Sequence, residues 1–222
     1  MKKPEIRKEN AELLLDKRFI RVFDLQYAEG KHYFDATRRT KETLVAVKSE
    51  AEFQKMLPDA VTCLVVLQVP GEPDRLLLSY EYRYPAGQFL LGPPAGLIDE
   101  RDLSEASPVL SAAKREIFEE TGIEIKDTDR LFIVNEFLFS TPGMTDEANA
   151  IAGAVVTLPD LSQLTQEHAE GGECFDGFRL LTKEEAEVIL KNGRDDYGHF
   201  YSAFTWCVLR SFVDGLWKGE RG

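Results

Sequence analysis

A mixed α/β fold behind a small antiparallel β unit is what this sequence predicts, and three observations predict it. Residues 18–39, "RFIRVFDLQYAEGKHYFDATRR", place aromatic and β-branched residues around an Ala-Glu-Gly-Lys turn, which reads as a hairpin or meander. Beyond Pro58 the composition shifts, and apolar strand-like runs alternate with amphipathic helical ones. A helix from about Ser107 to Thr121 then sits between strands, with Gly122 to stop it. The expected division is 1–58 for the β unit and 59–222 for the α/β domain.

The elements follow in order. "SEAEFQKML" reads as a short helix with Ser49 as N-cap. "VTCLVVLQV" (61–69) is a buried strand, "GEPD" a turn and "RLLLSYEYRY" a second strand. "GQFLLGPPAGLIDE" passes from a short strand into a Gly/Pro loop. In the helix at 107–121, Leu110, Ala113 and Ile117 make the apolar stripe. "RLFIVNEFLFS" and "ANAIAGAVVTL" are strands joined by "TPGMTDE", and "FRLLT" is another. "TKEEAEVILKNG" is a helix with a capping box, Thr182 and Glu185, and Gly193 at its end. From Tyr197 to Trp217 the apolar residues Phe200, Phe204, Cys207, Val208 and Phe212 repeat at helical spacing.

Bulk properties exclude several classes. The 222 residues carry a formal net charge of -12, with a pI near 4.8, so broad nucleic-acid binding is not expected. Cys63, Cys174 and Cys207 are odd in number and far apart, which argues against a zinc site or a disulfide framework and for a reducing cytosol. The N-terminus is too charged for a signal peptide, and no apolar run approaches the roughly 20 residues of a membrane span. The expected location is cytoplasmic, with neither nucleic acid nor membrane as partner.

The segment "AAKREIFEETG" (112–122) sets Glu116, Glu119 and Glu120 at i, i+3 and i+4, where like charges repel. Charged runs on helices are mostly solvated faces. Here the acidic face lies beside the apolar stripe, and a Gly/Pro loop precedes the helix. Carboxylates gathered at a core edge suit a hard cation such as Mg²⁺, which takes oxygen ligands and is commonly shared with substrate phosphates.

"AGLIDE…AAKREIFEETGI" resembles the Nudix box, G-x5-E-x7-R-E-U-x-E-E-x-G-U, with U apolar. Gly96 supplies the glycine, and Arg115, Glu116, Ile117, Glu119, Glu120, Gly122 and Ile123 fill the second half. The resemblance implies a Nudix α/β/α sandwich, with Glu116 and Glu120 and the carbonyl of Ala95 as metal ligands. Mg²⁺ is the implied cofactor and Mn²⁺ the alternative; Glu119 and Arg115 join the catalytic set. The first half departs from the pattern. Gly96 and Arg115 are five residues further apart than the pattern allows, around "RDLSEAS", as if the loop were lengthened. The first glutamate of the box is left to Glu100, Asp102 or Glu105.

The resemblance extends to the ADP-ribose pyrophosphatase branch. "YEYRYPAGQFLLGPPAGLIDE" is similar to its strand-loop entry, which implies that Arg83 meets substrate phosphates and places Gly96 and Leu97 at the substrate; Gly92 stands where the branch usually has a glutamate. "STPGMTDE" resembles its Ser-Pro-Gly loop. "AEGGECFDGFRLLTKEEA" resembles the loop that brings in a late glutamate, Glu173 first and Glu170 second, to assist a water. The N-terminal unit resembles the branch's small β domain, which exchanges between subunits. That implies a homodimer, with Phe19 and Phe34 at an adenine and Arg39 at a phosphate. The implied reaction is metal-dependent hydrolysis of ADP-ribose, or a related nucleoside diphosphate sugar, to AMP and ribose 5-phosphate. The alternatives are hydrolysis of a nucleotide sugar such as GDP-mannose, or a catalytically weak nucleotide-binding module.

Overall fold

The hairpin expected at 18–39 gains a third strand. In the computed structural model, which describes residues 4–169 and 172–219, β1 (Ala11–Asp16), β2 (Arg21–Ala28) and β3 (Lys31–Thr37) form an antiparallel sheet in that order. The sequence assigns β1 no element, because "AELLLD" does not alternate. Its leucines are exposed and only Ala11 is buried. Ala11 joins Phe23, Leu25 and Leu44 in a small core. α1 (Glu50–Phe53) starts at Ser49, whose side chain and that of Glu52 cap each other's backbone amides.

This strand unit, up to Asp59, clusters with Phe137–Asn149 as one of two compact units. The return of the chain at 137–149 was assigned by sequence to the other domain. It is tied in by Tyr33 Oη donating to the Gly143 carbonyl at 2.7 Å and by Ala36 N–H donating to that of Met144 at 3.0 Å. Arg39 also holds it, pairing with Asp59 at 2.6 Å and Asp146 at 3.5 Å.

The second unit, Ala60–Glu136 with residues from Ala150 onward, is built on a seven-stranded sheet. Its strands are β4 (Ala60–Gln68), β5 (Arg75–Arg83), β6 (Gln88–Gly92), β7 (Ala95–Leu97), β8 (Arg130–Phe139), β9 (Ala148–Thr157) and β10 (Phe175–Leu181). The order is β10-β5-β4-β9-β8, with β6 on β5 and β7 on β4. The far end of β8 and the start of β9 run into the 137–149 segment.

The helices are α2 (Glu100–Leu103), α3 (Pro108–Thr121), α4 (Lys183–Asn192) and α5 (Ala203–Val213). β4 reads as an unbroken apolar run because both its faces are covered. Val61, Cys63, Val65 and Leu67 meet Ala112, Ala113 and Ile117 of α3. Leu64 and Val66 are as deeply buried on the other face, where α5 packs on β4 and β6. This is the helix–sheet–helix sandwich the sequence implied.

Terminal signals explain the helix limits. Pro108 opens α3, and Gly122 closes it at φ +73°, where an added Cβ would come within 2.6 Å of Thr165 Cγ2. α4 has the expected Thr182/Glu185 box and ends at Gly193. The last helix is shorter than its periodicity suggested. It begins at Ala203, capped by Ser202, because Asp195 accepts the N–H groups of Tyr197 and His199 and folds 195–199 into turns. Phe200 is therefore exposed rather than part of the stripe. Among the described residues no helix is long and apolar enough to cross a membrane.

Candidate active site

β7 is short, yet it sets the site's floor. Antiparallel pairing with β4 aligns Ala95 with Thr62, Gly96 with Val61 and Leu97 with Ala60. α3 lies across this ladder with Glu116 and Glu120 turned toward it. The Ala95 N–H donates to Glu120 Oε1 at 3.1 Å. Gly96 lies directly beneath Glu116, since a Cβ built there would sit 1.9 Å from Glu116 Oε1. Glycine is thus required by the close approach of a carboxylate to the backbone.

Both glutamates are buried, at 6% and 2% relative exposure, and burial sets their electrostatics. It pushes the Glu116 carboxyl up to about 7; Arg115 opposes the rise, while Glu119 and Glu173 add to it. Burial pushes Glu120 up further, offset by the Ala95 N–H and reinforced by Glu173, Glu116 and Glu81. The expectation of an acidic face at the core edge takes this physical form. Two desolvated carboxylates repel each other, and a cation relieves both the desolvation and the repulsion.

Arg115 organises the helix side. Its guanidinium donates to Glu116 at 2.6 Å, to Glu119 at 3.0 Å, to the Leu97 carbonyl at 2.7 Å and to Asp102 at 3.0 Å. It thereby ties α3 to β7 and to the segment between them. Glu119 is also held by Arg101 at 3.3 Å.

The extra residues before α3 are not merely a longer loop. Residues 100–103 form a helical turn that buries Asp102 at 2% exposure, while Glu100 and Glu105 remain exposed. Asp102 accepts from the Asp99 N–H at 2.9 Å, from Ser111 Oγ at 2.9 Å and from Arg115. Burial works against its charge, but these donors outweigh it and hold the carboxyl below its usual range. Of the three candidates for the box's first acidic position, Asp102 is the one that meets the box arginine.

Arg83 ends β5 and is half exposed, with Glu81 Oε2 at 2.6 Å. The loop bearing Glu173 runs beside it, since Tyr82 N–H donates to the Cys174 carbonyl at 2.8 Å and Phe175 pairs with Glu81. Glu173 is exposed, and its charge is felt by Glu81, Glu116 and Glu120. Glu170 lies outside the described residues. Sequence reasoning passed over Glu81. The signal was present: two residues apart on a strand, Glu81 and Arg83 share a face.

The residues of the first unit stand as follows. Phe19 and Phe34 are strongly exposed, at 65% and 58%, and Arg18 lies over the Phe19 ring. Arg39 is largely buried between Asp59 and Asp146, which take up its charge.

Among the described residues, no three His, Cys, Asp or Glu side chains form a ready-made cation cage. Glu116, Glu120 and a backbone carbonyl at Ala95 instead suit a cation that keeps waters and shares its shell with substrate oxygens, as Mg²⁺ does.

A model of the NUDIX domain matches residues 56–204, two thirds of the chain. This chain belongs to the Nudix family. An uncharacterised Nudix hydrolase of Schizosaccharomyces pombe is 31% identical over 136 residues, which is 60% of this chain and 60% of that relative's length. A solved structure of an ADP compounds hydrolase is similar over 97% of each chain, with a TM-score of 0.56 and 20% identity, a likeness of fold. Nudix hydrolases act on nucleoside diphosphate derivatives and generally use divalent metal ions, typically Mg²⁺.

Proposed function

We propose that this chain hydrolyses the diphosphate bond of ADP-ribose, or of a related nucleoside diphosphate sugar, with a divalent cation held by Glu116, Glu120 and the Ala95 carbonyl. The observation that carries the reading is the pair of buried glutamates raised by burial and by neighbouring carboxylates, one resting on Gly96 and the other on the Ala95 N–H. Mg²⁺ is the cation proposed, with Mn²⁺ as the alternative. Bound there, it supplies positive charge to the phosphate oxygens and acidifies a water.

The chain's own residues divide the remaining work. Arg83 sits half exposed at the strand end and offsets charge that develops on the diphosphate. Glu173, on the exposed loop beside it, takes a proton from the attacking water. Arg115 and Asp102 position Glu116 and the β7 backbone without touching substrate. Exposed Phe19 and Phe34 supply faces on which a base can stack.

The same reading makes the protein a homodimer. The N-terminal unit buries few large side chains and exposes Leu13, Leu14, Leu15, Phe19, Ile20 and Phe34. A second copy would cover the leucines and Ile20 and complete the base site at Phe19 and Phe34, and light scattering at micromolar concentration tests this. Free Cys63, Cys174 and Cys207 fit a reducing cytosol.

The deciding experiment is a panel of ADP-ribose, GDP-mannose and NAD with Mg²⁺ or Mn²⁺, using Glu120→Gln as control. The expected result is phosphate-ester products from ADP-ribose at the highest kcat/KM, lost in the control. Preference for GDP-mannose would move the reading to another base and sugar. Equal activity in the control would remove the metal site.

A further inference from the structure

We propose that Glu81 is a positioning residue that acts through Arg83, an inference that rests on the reaction proposed above. Nothing in the Nudix box points to it. Glu81 lies inside β5, paired with Leu90 of β6 on one side and Phe175 of β10 on the other. Strand alternation puts it on the face of Leu77, which belongs to the core under α3. Arg83 is next on that face and is where the strand ends.

The two side chains are unequal. That of Glu81 is 18% exposed and that of Arg83 is 51% exposed, joined at 2.6 Å. The carboxylate is fixed by its strand, and the long arginine reaches past it toward solvent. An unrestrained arginine loses rotamer entropy when it engages a phosphate, so a buried partner that holds its guanidinium lowers that cost.

Charge supports the same role. Glu81 lies in an acidic neighbourhood, where the charge of Glu173 acts on it and its own charge acts on Glu120. A bare arginine at this edge would be drawn into the carboxylates that the cation requires. With Glu81 as its partner, Arg83 stays at the rim, where a diphosphate must pass to reach Glu116 and Glu120.

A double-mutant cycle separates this role from that of an extra ligand or a plain structural pair. Glu81→Ala, Arg83→Ala and the double variant are compared by kcat/KM on the best substrate of the panel. They are compared again by the Kd of the non-hydrolysable α,β-methylene analogue of ADP with Mg²⁺, which needs no turnover. The expected result is a loss of tenfold or more for Glu81→Ala in the wild-type background and less than twofold once Arg83 is gone. Glu81→Gln, which keeps an acceptor oxygen at the same reach, should recover most of the loss, and thermal melts confirm that each variant is folded. A coupling below threefold in the binding cycle overturns the inference whatever the turnover. If Arg83→Ala is impaired while Glu81→Ala is neutral, the inference alone fails. An inactive wild-type protein with the coupling intact means that the proposed reaction fails and the positioning role stands.

Discussion

Each compact unit contains a largely buried arginine ringed by carboxylates, and the two rings use their oxygens differently. Around Arg39 the oxygens bind the chain to itself. Asp146 accepts from Thr37 Oγ1 and the Val45 N–H, Asp59 accepts from the Ala148 N–H, and Asp35 accepts from the Asp146 N–H. Around Arg115 only Asp102 is used this way. Glu120 has one backbone donor, Glu116 has the arginine, and burial leaves both well above the usual carboxylate range. An acidic cluster is structural where amides and hydroxyls consume its lone pairs. It is poised for a cation where repulsion and desolvation are left standing, because only an outside charge then relieves them.

That contrast predicts opposite signs for like substitutions, and here the effects are largest. Glu120→Gln keeps an acceptor for the Ala95 N–H and removes a buried charge. It should lower kcat by on the order of 10² or more, yet raise the melting temperature in EDTA. Glu116→Gln should behave the same way. Asp146→Asn sets its amide nitrogen either against the Thr37 hydroxyl or against the Val45 N–H and Arg39, since both Asp146 oxygens accept, and should cost roughly 1–3 kcal/mol of stability. Melting curves in EDTA and steady-state kinetics on the three variants read both signs. Glu120→Gln melting below wild type while turning over normally would break the contrast.

The same difference explains what the sequence could show. The acidic helix α3 was legible because its signals are local: a 3.6-residue stripe, three glutamates and a terminal glycine within one segment. The N-cap at Ser49 and the capping box at Thr182 were legible for the same reason. The Arg39 ring was not, because its partners lie far along the chain, Asp59 at 20 residues and Asp146 in the segment between β8 and β9, and no local pattern marks them. Strand β1 was missed because its leucines face outward, so burial leaves no alternation to read. The start of α5 was misplaced because the turns built by Asp195 override an apolar period that continues through Phe200.

A smaller effect tests Asp102, the one member of the Arg115 ring that behaves like the other cluster. Asp102→Ala removes the acceptor of Asp99, Ser111 and Arg115 at once and should cost on the order of 2 kcal/mol. Arg115 then loses one of its four partners, the one that ties it to the segment before α3, so kcat should fall as well. Glu100→Ala and Glu105→Ala, both exposed, should change neither by more than a few tenths of a kcal/mol or about twofold. Chemical denaturation and kinetics on the three variants decide it. A larger loss at Glu105 than at Asp102 would reassign the first acidic position of the box.

The smallest effect concerns Asp35, whose carboxyl burial raises as it also raises that of Asp59, and which alone of the two leaves a buried oxygen without a hydrogen bond among the described residues. Its Oδ2 is buried and has no hydrogen-bond partner, and Asp146 faces it. Burial, then the Asp146 charge, push its carboxyl up to about 6, against the Asp146 N–H and Arg39, which lower it. The unfolded chain holds the same group near 3.9. Between those values the folded state keeps the proton and the unfolded state has lost it, so the contribution of Asp35 is fully present below about pH 3.9 and is lost as pH rises through 6. Asp35→Asn keeps an acceptor for the Asp146 N–H, adds a donor toward the Asp146 carboxylate and cannot ionise. It should therefore be more stable than wild type at pH 8, by on the order of 1 kcal/mol, with the advantage shrinking as pH falls through 6 toward 4. Denaturation curves at pH 4, 6 and 8 read the trend directly. An advantage that is constant across the range would place the strain in the geometry of the ring rather than in its charge.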